Sequence, residues 1–194
     1  MSTDSVRQFW DLYKYTTNPI GFINPDGLAD YEHSSLLDVK GMDVVTDPNF
    51  MQDQVTGQTY CNHGALTLVD DDAISGMTAN QMYDALSNDK IATKLTQSEA
   101  MMYANEGVTV VSAWKNTGGG SGHVAVLAPG SDQRGRPMTY NVGQRAYHGK
   151  KSIAYAFSTS KRESANFGYF ILNNDKASAD ARILTRGPGV HITR

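Results

Sequence analysis

The hydrophobic period of the chain changes once, at Val108, and that change constrains the fold more than any other feature. Before it, the apolar residues recur at helical spacing. Cys61, Ala65, Leu68 and Val69 share one face, and Thr78 can cap a helix whose inner face is Ala79, Met82, Tyr83 and Leu86. Thr96-Gln-Ser-Glu99 has the form of a capping box ahead of Ala100, Met101, Tyr103 and Ala104, and Gly107 stops that run. After it come short β-rich runs at 108–114, 123–128, 138–142, 153–157 and 168–172, separated by Gly, Pro and polar turns. The gaps are too short for crossover helices, so the sheet, of about five strands, is expected to be mostly antiparallel. Helices followed by strands predict an α+β domain.

The flanks are less regular. Val6, Phe9, Trp10 and Tyr13 predict an amphipathic helix over 3–14. From Thr16 to Gln58, Asn18-Pro19, Asn24-Pro25-Asp-Gly27 and Asp47-Pro48-Asn49 are turn signals with only short apolar pieces between them, so residues 1–57 read as a helix and an irregular lead-in. Residues 58–172 form the core of a single domain spanning 1–194, and 173–194 read as a loosely held tail ending in Arg186-Gly-Pro-Gly189. Asp70-Asp-Asp72 opposes a helix C-terminus and suits a solvated turn; it lacks the ligand spacing of a calcium loop.

A formal net charge of −3 without any Lys/Arg-rich block gives no electrostatic footprint for nucleic acid. No stretch approaches the ~18 apolar residues of a membrane span, and the N-terminus lacks the pattern of a secretory signal, so no membrane insertion is expected and the chain is expected to be cytoplasmic as made. With one cysteine there is neither a disulfide framework nor a Cys-Cys metal pair, and no cofactor or metal site is expected. The thiol of Cys61 is either a small buried hydrophobe or a reactive group.

The reactive reading draws on position. At the first turn of a helix, unpaired backbone N–H groups and the dipole are expected to stabilise a thiolate and lower its pKa. His123, at the start of a hydrophobic strand, can take the proton and return it to a leaving amine. Gly118-Gly-Gly-Ser-Gly122 lets the backbone approach closely and leaves room beside the imidazole, which marks Gly122 as a substrate-binding position. Asn141, on the next strand, carries a side-chain oxygen that can hold the imidazole in the right tautomer. For the oxyanion, the amide N–H of Cys61 is the natural donor, with Gln58 and Tyr60 as side-chain candidates. His63 falls on another side of the helix, and His33, His148 and His191 have no evident partner.

Tyr60-Cys61-Asn62, the run from Ala104 to Trp114 and Ser121-Gly-His-Val-Ala-Val-Leu-Ala-Pro-Gly130 together resemble the NlpC/P60 and CHAP group of papain-like cysteine peptidases and amidases over roughly Gln54 to Leu172. The cysteine is followed by Asn62 and His63 where NlpC/P60 members usually carry Ser-Gly. The resemblance implies a papain-like core and hydrolysis of an amide bond in bacterial peptidoglycan, with Cys61 as nucleophile, His123 as base and Asn141 orienting it. Without an export signal, such an enzyme would act in the periplasm or outside the cell as a phage lysin released through a membrane lesion, or as an injected antibacterial effector with a cognate immunity protein. Alternatives are a papain-like cysteine protease or acyltransferase acting on a protein, or a non-catalytic binding protein in which Cys61 is packed.

Overall fold

The computed structural model describes residues 28–50, 60–69 and 71–185. Among these, seven α-helices surround a six-stranded antiparallel sheet, an α+β architecture. The helices are α1 (Leu28–Thr46), α2 (Cys61–Val69), α3 (Ala79–Leu86), α4 (Gln97–Asn105), α5 (Ile153–Ala156), α6 (Thr159–Arg162) and α7 (Asn173–Thr185). The strands are β1 (Ala92–Leu95), β2 (Val111–Trp114), β3 (His123–Ser131), β4 (Pro137–Asn141), β5 (Gly149–Ser152) and β6 (Phe167–Leu172), in spatial order β1-β6-β2-β3-β4-β5.

The sheet is covered on both faces, which is why β3 and β6 read as continuous apolar runs rather than as alternating ones. Val124, Val126 and Ala128 of β3 enter a core shared with α1, α2 and α3, whereas Ala125 and Leu127 enter a second core with α4, Ile153, Phe157 and Ala179 of α7. Phe157, Phe170, Met82 and Leu127 are fully buried, and each such side chain contributes about 1.5–3 kcal/mol of transfer free energy. Both sequence-read capping boxes form: Thr78 with Gln81 at the start of α3, and Thr96 with Glu99 at the start of α4. Asp71 accepts from Ala73 N–H at 2.7 Å and caps a single 3-10 turn, so that part of the acidic run is the expected turn.

Three expectations are corrected, and the sheet has six strands rather than about five. The lead-in is not irregular throughout, because 28–46 is a helix of 19 residues. Its inner face is Leu37, Gly41, Val44 and Val45, a helical spacing diluted in the sequence by the glycine. Gly41 is required there: a Cβ would run into the ring of Tyr140, so the helix lies directly against β4. The run 153–157 is not a strand. Ser152 accepts from Ala154 N–H and starts the short helix α5, while the polar segment before it, Gly149–Ser152, takes the edge of the sheet as β5. The other edge, β1, is a half-polar strand without an alternation that the sequence would expose. The tail is ordered as α7 as far as Thr185, anchored by Ala179 in the second core and by the Thr93 hydroxyl, which donates to Asn173 at 2.9 Å. The helix expected over 3–14 and the Arg186–Gly189 segment lie outside the described residues.

Candidate active site

The start of β3 gathers the candidate residues. His123 shares the parity of Ala125 and Leu127 and so projects to the second core, where its ring packs 5.0 Å from that of Phe157. Asn141, at the end of β4, has the parity of Thr139, which pairs with Leu127, and therefore lies on the same face. The two side chains meet: His123 Nε2 and Asn141 Oδ1 are 2.7 Å apart.

The tautomer follows from the next bond. Asn141 Nδ2 donates to the carbonyl of Tyr147 at 2.7 Å, which fixes the amide so that its oxygen faces the imidazole. An amide oxygen only accepts, so Nε2 carries the proton and donates it. Nδ1 of the neutral ring is then the basic nitrogen, and it has no hydrogen-bond partner among the described residues.

Burial depresses the pKa of His123 to about 4; the Asn141 hydrogen bond opposes this and the nearby Lys161 ammonium adds to it. The imidazole is therefore neutral at pH 7, the form a proton acceptor needs. Cys61 departs from expectation. Its thiol pKa is pushed up, because desolvation at 6% exposure outweighs the lowering contributed by the N–H groups of Val124, Asn62 and Cys61 itself. The helix start does act in the expected direction, but burial wins.

Cys61 approaches from the other core, on the first turn of α2, which Gly64 N–H closes onto Tyr60 C=O at 3.0 Å. Asn62 donates from Nδ2 to Met77 C=O at 3.0 Å and ties this turn to the approach of α3. Leu127 N–H points toward β2, where it bonds Val110 C=O at 2.8 Å, so by alternation Val124 N–H points toward β4. The β3–β4 ladder runs from Ser131–Pro137 only as far as Val126–Tyr140, which leaves that N–H facing the thiol where the two strands part. The thiol thus reaches β3 one residue from His123. Among the described residues, no hydrogen bond joins thiol and imidazole.

His123, Asn141 and Gly122 open onto a cleft of about 440 Å³ that is also lined by Tyr147, Tyr155 and Lys161. Cys61 and Tyr60 are not among its lining residues; the Tyr60 ring instead stands edge-on to the exposed His63 at 5.8 Å. Gln58 lies outside the described residues. Gly122 has no room for a side chain, since a Cβ would overlap both Asn80 Oδ1 and the carbonyl of Trp114. Asn80 itself staples the glycine loop, accepting from Asn116 N–H at 2.9 Å and donating to Gly120 C=O at 3.1 Å. The sequence reading missed Asn80, Phe157 and Lys161. None belongs to a motif, and their roles depend on contacts remote in sequence. Among the described residues, no three His, Cys, Asp or Glu side chains cluster as metal ligands, and no helix is long and apolar enough to cross a membrane.

The arrangement defines a class in chemical terms: a thiol at a helix start beside a strand that carries a tautomer-fixed, neutral imidazole open to a cleft. No family model matches the chain, and no curated protein matches it.

Proposed function

We propose that this protein is a papain-like cysteine hydrolase that cleaves an amide bond of peptidoglycan through Cys61 and His123, with Asn141 as the orienting residue. The observation that carries the reading is the 2.7 Å His123–Asn141 hydrogen bond, which holds Nδ1 as the basic atom one residue from the strand position that receives the thiol. The resting pair is neutral thiol and neutral imidazole rather than thiolate and imidazolium. As the sulfur attacks the amide carbon, its proton passes to Nδ1; the imidazolium then protonates the leaving amine as the C–N bond breaks, giving a thioester. Water, deprotonated by the same nitrogen, attacks the thioester and releases the acid and the thiol. The Cys61 N–H is the oxyanion donor in this scheme.

Peptidoglycan as the substrate rests on the resemblance of the Cys61, 104–114 and 121–130 stretches to NlpC/P60 and CHAP proteins. The same resemblance supports action outside the cytoplasm, as a released phage lysin or an injected effector paired with an immunity protein. The test is digestion of purified peptidoglycan with mass spectrometry of the new termini. Cys61→Ala should abolish the products while leaving the circular dichroism unchanged, and turnover retained by that variant refutes the assignment.

The low exposure of Cys61 favours a second reading, a binding protein with a packed thiol. In that case Cys61→Ala leaves ligand binding intact and no peptidoglycan products appear with the wild type.

A further inference from the structure

We infer that the cleft beside His123 is an anion subsite in which Lys161 receives a carboxylate of a peptide substrate. This rests on the cleft being the substrate site of the proposed hydrolase.

The argument begins with charge. The chain carries a net −3, yet among the described residues no Asp or Glu lines the cleft, and Lys161 is the one described lining side chain charged at neutral pH, because His123 is neutral there. The Lys161 ammonium forms no salt bridge among the described residues. It rests 4.4 Å from the centroid of the Trp114 ring, and its backbone N–H is held by Ser158 Oγ at 3.4 Å in the first turn of α6. A cation over an indole face is held in place without being neutralised, so its field remains available to a ligand.

Other lysines of the sheet region are committed differently. Lys150 pairs with Asp38 at 2.5 Å and Lys115 with Asp84 at 2.7 Å, while Lys151 donates to Ala146 C=O at 3.3 Å and lies 5.8 Å from the centroid of the Tyr155 ring without lining the cleft. Lys161 is also close enough to His123 to lower its proton affinity, which places cation and base within one electrostatic neighbourhood.

Geometry then selects the ligand class. The same cleft presents the exposed rings of Tyr147 and Tyr155, 6.4 Å apart, and the backbone of Gly122 next to His123. A cleft with one lining cation and two aromatic walls suits a peptide with a carboxylate near the bond that His123 serves. A bound carboxylate would offset the Lys161 field and make Nδ1 more basic, so substrates with that group would strengthen the base that acts on them.

The experiment uses the full-length protein and two probes, N-acetyl-alanyl-alanine with a free C-terminal carboxylate and the same dipeptide as its C-terminal amide. Binding is followed by the Trp114 indole N–H and the His123 ring signals in NMR, a readout that does not depend on hydrolysis. The carboxylate should bind about twofold to fivefold tighter than the amide, the upper part of the range for a solvent-accessible ion pair. It should also raise the His123 pKa when bound. Lys161→Arg should retain the preference and Lys161→Met should bring the ratio near one. Equal binding of the two probes by the wild type, or a preference that survives in Lys161→Met, overturns the inference. If selective binding holds but no peptidoglycan is cleaved, the hydrolase reading falls and the anion subsite stands.

Discussion

The pKa of His123 allows one prediction to be worked through. In the folded protein the imidazole titrates at about 4, against the usual value of 6.5 that it regains on unfolding. Between those values the unfolded chain binds a proton that the folded chain refuses, so the stability due to neutral burial is fully present above pH 6.5 and is lost as the pH falls toward 4. The slope is about 1.4 kcal/mol per pH unit, and across the window the loss is about 3 kcal/mol. Carboxylates titrate in the same range, so the measurement is a difference: urea unfolding of the wild type and of His123→Gln at a series of pH values from 7 to 4. The gap between them should shrink, or turn against the wild type, by about 3 kcal/mol as the pH falls. The ring signals should report the same pKa directly, with Nδ1 as the unprotonated nitrogen at neutral pH. A His123 pKa at its usual value, or a stability difference that does not change with pH, would falsify the burial argument, and an Nδ1 that carries the proton at neutral pH would refute the tautomer assignment.

Further expectations concern the same region. Asn141→Ala removes two hydrogen bonds and leaves the Tyr147 carbonyl and His123 Nε2 to find other partners; at 1% exposure for Asn141 this should cost about 2–4 kcal/mol in denaturant unfolding and release the Nε2–H tautomer. Because burial raises the Cys61 pKa, alkylation by iodoacetamide should be slow at pH 7 and accelerate only as the pH rises past the range of an ordinary thiol. Faster reaction than free cysteine at pH 6 would contradict the burial argument. Gly41→Ala should destabilise by about 1–3 kcal/mol despite the better helix propensity of alanine, since the new methyl meets the Tyr140 ring; a rise in melting temperature would count against that contact.

The sequence disclosed what is carried by local pattern. The capping boxes at Thr78 and Thr96, the apolar run from Val124 to Ala128 and the hydrogen bond from His123 to Asn141 all follow from residue type at short or strand-neighbour spacing. What it hid was set by tertiary contact. Gly41 looks like a helix breaker until Tyr140 is placed against it. The Ile153–Phe157 run has strand composition, but the Ser152 hydroxyl and the neighbouring core make it a helical turn, and the polar Gly149–Ser152 becomes the strand because an edge needs only one partner. The Cys61 pKa departs from the expectation for a related reason: the helix start is visible in sequence, whereas the depth at which the thiol is buried is not.

The element least legible in the sequence is tied to the one candidate residue that depends most on orientation. Helix α1 holds β4 from beneath: Asp38 accepts from the Tyr140 hydroxyl and pairs with Lys150 on β5, while Gly41 allows the Tyr140 ring to lie on the helix. Further along the same helix, the Val45 carbonyl accepts from His148 Nε2 at 2.7 Å, and this pins the turn that follows β4. The neighbouring carbonyl of that turn, from Tyr147, receives Asn141 Nδ2 and so decides which end of the amide faces His123. A chain of contacts therefore runs from Val45 through His148 and Tyr147 to Asn141, and ends at the tautomer of the imidazole. The segment before Cys61 that reads as a lead-in is, in physical terms, the support that makes Nδ1 rather than Nε2 the basic atom of the site.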